Sequence, residues 1–140
     1  HEVYFMLTDI DGSADNDRIR PMCYPGTDVF IVCFSFLSRT SFDRIETTLV
    51  PEIQSHLPNV PMVLVGTKVD LQDEVGSGEG TVGFNEAESL AKRLGFALFF
   101  QCSAKTGQNV EALFNDAIRL AVTTKVKAMN PNGGDKCIVV

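Results

Sequence analysis

Four largely apolar runs limit what this chain can become: Val3 to Leu7, Val29 to Phe36, Met62 to Val65 and Phe96 to Cys102. They are continuous rather than alternating, the pattern of strands covered on both faces of a parallel sheet. Helical spacing fills the intervals between the last three. Phe42, Ile45, Leu49 and Ile53 form one apolar stripe, in which Pro51 predicts a kink or a shortened helix. Asn85 with Glu88 three residues on matches a capping box. Ala87, Leu90, Ala91 and Leu94 follow at helical spacing, and Gly95 supplies a stop. The last helix has the clearest period, through Val110, Leu113, Phe114, Ala117, Ile118, Ala121 and Val122, with Asn109 as its expected cap. Strands alternating with helices through short joins predict right-handed crossovers and a three-layer α/β domain.

In such sheets ligands bind beyond the carboxyl ends of the strands. Those ends carry Asp9 to Ser13, Thr67 to Asp70, and Ser103 to Lys105, so polar residues gather where a site belongs. Two stretches lack an apolar face. Asp73 to Gly83 holds four glycines and reads as a flexible connector, and Thr123 to Lys136 reads as a disordered tail. The expected division is an ordered domain over 1–124 and a tail over 125–140. With 44% hydrophobic residues the chain has enough for a core, and a net charge of -6 argues against bulk attraction to nucleic acid or anionic lipid. Cys23, Cys33, Cys102 and Cys137 show no metal spacing. Cys33 and Cys102 sit in apolar runs, where buried reduced thiols are expected, as in the cytosol. No apolar run reaches the length that spans a membrane and no signal peptide opens the chain; His1 in place of methionine predicts sequence upstream.

Thr67-Lys68-Val69-Asp70 follows an apolar strand. A carboxylate there can accept two parallel hydrogen bonds from the ring N–H and exocyclic amine of guanine, a donor pair that adenine lacks. The methylene stem of Lys68 can lie along the base. Cys102-Ser103-Ala104-Lys105-Thr106 comes one helix and one strand later, where the Ala104 N–H could meet the guanine carbonyl. Against this stands the plainer reading of a solvated loop charge pair, with Ser103 and Asn109 as turn and cap residues.

At this point the chain resembles a known family. TKVD and CSAK match the guanine-recognition motifs of small GTPases, and Thr67, Lys68, Asp70, Ser103, Ala104 and Lys105 take nucleotide-binding roles by that match. Asp17-Arg18-Ile19-Arg20-Pro21-Met22-Cys23-Tyr24-Pro25, followed by Thr27-Asp28-Val29-Phe30, resembles the Rho branch, as do Ser41-Phe42, Val50-Pro51-Glu52-Ile53 and Pro58-Asn59-Val60-Pro61. The resemblance runs from about Val3 to Val122. It implies the P-loop NTPase-like fold of small GTPases, with GTP or GDP and Mg²⁺ as cofactors. It also implies effectors, exchange factors, activating proteins and dissociation inhibitors as partners.

The departures are as informative. Where Rho proteins usually read D-T-A-G-Q-E, this chain has Asp9-Ile10-Asp11-Gly12-Ser13-Ala14. By resemblance Asp9 would hold Mg²⁺ through water and the Gly12 N–H would sense the terminal phosphate. Ser13 stands where a glutamine orients the attacking water, and its side chain is too short for that reach. Asp11 replaces a small residue, and Asn16 stands where a tyrosine is common. No G-x-x-x-x-G-K-[ST] occurs in the chain. The resemblance therefore places Val3 to Leu7 as the third strand of a six-stranded sheet ordered 2-3-1-4-5-6. The first strand, phosphate loop, first helix and second strand are absent, and poor stability is expected for the chain alone.

Cys137-Ile138-Val139-Val140 matches the C-a-a-X prenylation pattern, which implies reversible attachment to the cytoplasmic face of a membrane, the plasma membrane first among them. The leading function is a Rho-like guanine-nucleotide switch that, with these departures, does not cycle. The alternative is a catalytically dead, membrane-tethered interaction module. A remote third reading takes Asp9-Ile10-Asp11-Gly12-Ser13 for the D-x-D-G-[TS] signature of haloacid-dehalogenase-like, Mg²⁺-dependent phosphatases, with Ser35 and Lys68 near later strand ends.

Overall fold

A computed structural model of the chain describes residues 2–76 and 78–129. Three parallel strands form one sheet in the order β1-β2-β3: β1 Phe30–Ser35, β2 Met62–Thr67 and β3 Leu98–Gln101. The register runs from Phe30 opposite Met62 to Ser35 opposite Thr67, and from Val63 opposite Leu98 to Gly66 opposite Gln101. The helices are α1 Arg39–Arg44, α2 Val50–His56, α3 Val69–Val75, α4 Phe84–Arg93 and α5 Val110–Met129; the three expected stripes are helical, and α3 is an additional helix after β2.

The sheet separates two cores, because successive strand residues face opposite ways. On one face Phe30, Val32, Phe34, Met62 and Leu64 pack with Phe42, Ile45, Val50 and Ile53, and with Ala87, Leu90 and Ala91 of α4. On the other, Val63 and Val65 meet Cys102 and the Leu113 and Ala117 stripe of α5. This is the three-layer arrangement that the apolar runs predict. β2 is buried along its length, as a central strand must be.

Gly66 makes the tightest fit. A Cβ there would overlap the Phe36 ring and come 3.0 Å from Phe34 Cζ, and those two rings already touch edge to face at 5.0 Å between centroids. Gly66→Ala should therefore destabilise the fold by about 1–3 kcal/mol, the usual cost of overpacking a core. Urea unfolding of the two proteins measures it, and equal midpoints would show that the Phe36 ring yields freely.

Several local expectations change. Pro51 neither ends nor shortens its helix: residues 39–56 are helical throughout, with a π turn at Ile45–Leu49 directly before it. Proline has no N–H to donate and its ring crowds the carbonyl four residues back, and a wider turn relieves both. The capping box at Asn85 does not form, since α4 starts at Phe84 with Gly83 as its N-cap and no side chain capping it. Gly95 does stop α4, at φ +76°, with Phe96 N–H donating to Ala91 O and Gly95 N–H to Lys92 O. Asn109 sits at φ +58°, and its amide donates to Gln101 O at 2.8 Å rather than capping α5. A side-chain cap needs extended backbone at that residue.

The connector begins later than Asp73, because α3 runs to Val75. It is pinned by buried Val82, whose N–H donates to Phe36 O, and by Arg39, which reaches Thr81 O and Glu86. Helix α5 continues to Met129 through the start of the expected tail, with Lys125 Nζ 2.9 Å from Asp28. Cys33 is exposed while Cys102 is buried. Val3 to Leu7 is not a strand. It has no backbone partner among the described residues, a strand's amides and carbonyls need one, and its side chains stay exposed. Among the described residues no helix is long and apolar enough to cross a membrane.

Candidate functional site

The carboxyl ends of β2 and β3 hold their loops together through a short chain of hydrogen bonds. Thr67 caps β2 by donating Oγ1 to Phe34 O at 2.9 Å, while Thr67 O accepts from Phe36 N–H. Lys68 then adopts a left-handed conformation, φ +62° and ψ +35°, uncommon outside glycine and asparagine. That turn aims the next amide across the sheet, and Val69 N–H donates to Cys102 O at 3.2 Å. Asp70 opens α3, where a carboxylate also suits the helix dipole.

Ser103 supplies the closing link. It is wholly buried, and its Oγ donates to Asp70 Oδ1 at 2.7 Å while accepting from Thr106 N–H at 3.2 Å. Its backbone is held as well: Ser103 N–H donates to Gln108 O and Ser103 O accepts from Gly107 N–H. A buried hydroxyl with both roles used is a structural bridge, more than the turn residue that its type suggests. Lys68, Ala104 and Lys105 remain exposed around it. Asp70 Oδ2 has no partner among the described side chains, and a carboxylate oxygen bonded once retains a second acceptor position.

The segment expected near the phosphate lies elsewhere. Asp9 is exposed, and the described residues contain no group of three His, Cys, Asp or Glu able to hold a metal ion. The groove beside Ser13, about 310 Å³, is lined by Asp11, Gly12, Cys33, Ser41 and Arg44 among others, and by none of the residues 67–70 or 103–105. Among the described residues, 67–70 and 103–105 thus form one cluster, and residues 9–13 lie apart from it with no metal-holding group among them. The phosphatase pattern fails too, since it needs Asp9 at the end of a strand.

A second cluster escaped the sequence reading. Arg20, only 3% exposed, donates from Nε and Nη2 to the two oxygens of Glu52, each at 2.9 Å, and from Nη2 to Asp17 at 2.6 Å. Tyr24 donates its hydroxyl to Glu52, and Arg44 reaches Asp17 at 2.7 Å and Gly12 O at 3.1 Å. Together these fasten residues 11–24 onto α1 and α2. Burial and the Glu52 carboxylate push the Tyr24 hydroxyl well above its ordinary range. Burial alone would raise the Glu52 carboxyl, yet the Arg20 and Tyr24 hydrogen bonds hold it below its usual value. The Arg20 hydrogen bond does the same for Asp17, and the Ser13 hydroxyl for Asp11. Each of these carboxylates binds its proton less readily folded than unfolded. Their stabilisation is complete above the ordinary carboxyl values of 3.8 and 4.5 and is lost as pH falls through the lowered ones. A midpoint temperature that is flat from pH 7 to 5 and drops below pH 4.5 is the expected profile. No sequence signal pairs Arg20 with a glutamate 32 positions away.

Comparison with known proteins decides the family. A family model described as the Ras family matches residues 1–123. The chain belongs to the Ras family. The "Rho-related GTP-binding protein RhoV" of Bos taurus, and those of Mus musculus and Homo sapiens, are each 39% identical to it over 138 residues, covering 91% of this chain and 58% of theirs. That places it among the Rho-type members of the Ras family, as the Asp17 to Pro25 stretch implies. It spans 58% of the length of these curated relatives.

Proposed function

We propose that this Ras-family chain carries the base-reading half of a Rho-type guanine-nucleotide site, with Lys68, Asp70, Ala104 and Lys105 facing the base and Thr67 and Ser103 holding the loops. The single observation behind this reading is the 2.7 Å hydrogen bond from Ser103 Oγ to Asp70 Oδ1, which joins two motifs 33 residues apart. Guanine presents two adjacent donors to one carboxylate and adenine does not, so Asp70 sets the base choice. Lys68 covers the base with its stem. The nucleotide's phosphates and Mg²⁺ would have to be held mainly by groups other than those described, so GDP binding by residues 1–140 is weak. Asp9, Gly12 and Ser13 are assigned to the metal and phosphate side by resemblance alone. Rho-type effectors, exchange factors, activating proteins, dissociation inhibitors and a prenyl-contacted membrane complete the set of partners.

Saturation-transfer NMR suits weak ligands. GDP should give base-proton signals with the chain where ADP gives little, and Asp70→Ala should reduce the preference at least about tenfold, as expected on losing hydrogen bonds to a charged acceptor. Equal signals from GDP and ADP with the unaltered chain would remove the base-site reading. A second reading, an interaction module without turnover, is favoured by Ser13, whose hydroxyl is already given to Asp11.

A further inference from the structure

Asp11, Ser13 and Asn16, three positions at which residues 9–16 depart from the Rho pattern, are bonded to one another. Ser13 N–H donates to Asp11 Oδ1 at 2.9 Å, Ser13 Oγ to Asp11 Oδ2 at 2.7 Å, and Asn16 Nδ2 to the same Oδ2 at 2.9 Å. The backbone closes the turn with Asn16 N–H to Ser13 O and Asp17 N–H to Ala14 O. Buried Arg20 then takes Ser13 O at 3.2 Å and Asp11 O at 3.4 Å, and Arg44 takes Gly12 O. Every carbonyl from Asp11 to Ala14 therefore has a donor from within the chain.

We infer that Asp11, Ser13 and Asn16 form a lock that holds residues 11–17 in one conformation whatever nucleotide is supplied. The physical case is one of differential contact. A ligand shifts a segment between two states only as far as it binds them differently. Here the groups beside Gly12 are already committed: the Ser13 amide and hydroxyl to the Asp11 carboxylate, and that carboxylate to three donors. Asp11 adds negative charge at the place where an anion would have to approach. The segment passes directly into the Arg20 and Glu52 anchor, so its far end is fixed as well. A partner reading this region meets one surface, with Ile19 and Met22 exposed beyond the lock. The inference stands whether or not the base site fills, since every contact in it lies within the chain.

Amide hydrogen exchange of residues 1–140 tests it, measured alone, with Mg²⁺ and GDP, and with Mg²⁺ and a non-hydrolysable GTP analogue. The Ser13 and Asn16 amides should exchange slowly and at the same rate in all three samples. Asp11→Ala should speed Ser13 exchange by about tenfold or more, in line with the strength of hydrogen bonds to a charged acceptor. Protection of Val63 to Val65 in β2 should be unchanged in that variant. Ser13→Ala, which removes only the hydroxyl donor, should give a smaller increase and guards against a poorly folded Asp11 variant. Unprotected Ser13 in the unaltered chain would overturn the lock. So would a rate that differs between the GDP and GTP-analogue samples.

Discussion

Glu52→Ala should cost the folded chain about 3–5 kcal/mol, the usual penalty for removing one partner of a buried ion pair. Arg20 is 3% exposed, and without Glu52 its guanidinium keeps only Asp17 and two carbonyls. Tyr24, also 3% exposed, loses its acceptor in the same step. Asp17 partly compensates the charge, which places the expectation at the lower end of the range. Because small domains hold only about 5–15 kcal/mol in total, a loss of that size approaches unfolding. Urea denaturation of the single variant measures it. The double variant Arg20→Met, Glu52→Leu separates pairing from packing, since replacing both charges by apolar groups is often nearly neutral. A single variant within about 1 kcal/mol of the unaltered chain would mean that water reaches Arg20 freely.

That anchor also marks where sequence reading stops. The sheet was legible because β1, β2 and β3 are runs of Val, Ile, Leu and Phe whose partners lie on both faces, and period alone reports that. The stripe from Phe42 to Ile53 and the stop at Gly95 were legible for the same kind of reason: each is decided by neighbours within a few residues. Where a distant partner decides, the reading failed. Val3 to Leu7 has the composition of a strand, but strand formation depends on a neighbouring backbone, which composition does not report. Asn109 has the type of a cap, but the carbonyl at the end of β3 claims its amide. Ser103 resembles a turn residue until α3 brings Asp70 beneath it. In the candidate site the motifs named two loops that the structure joins through Ser103 and Asp70. The motifs said nothing of the bridge between them, of the left-handed Lys68, or of the lock among Asp11, Ser13 and Asn16, which as single departures looked only like losses.

Cys137→Ser should move the protein from a divided distribution between membrane and cytosol entirely into the cytosolic fraction. Cys137 lies outside the described residues, and the proposal takes Val140 as the carboxyl terminus, with Ile138 and Val139 as the aliphatic pair of a prenylation signal. An isoprenoid joined through a thioether contributes about 0.8 kcal/mol per buried CH₂, yet one lipid of this kind holds a protein only reversibly. The flanking charges add little: Lys125, Lys127 and Lys136 oppose Asp135, Lys125 is already paired with Asp28, and no second cysteine lies near for another acyl chain. Exchange between membrane and cytosol is therefore expected, rather than permanent attachment. Valine at the last position is neither a usual farnesyl ending nor the leucine or phenylalanine of geranylgeranyl substrates, and its apolar character favours the longer lipid. Mass spectrometry of the carboxyl-terminal peptide from eukaryotic cells decides both points, since the two lipids differ in mass and the last three residues are trimmed after attachment. An unmodified Cys137 still followed by Ile138, Val139 and Val140 would sink the proposal, and the Cys137→Ser variant would then fractionate like the unaltered protein.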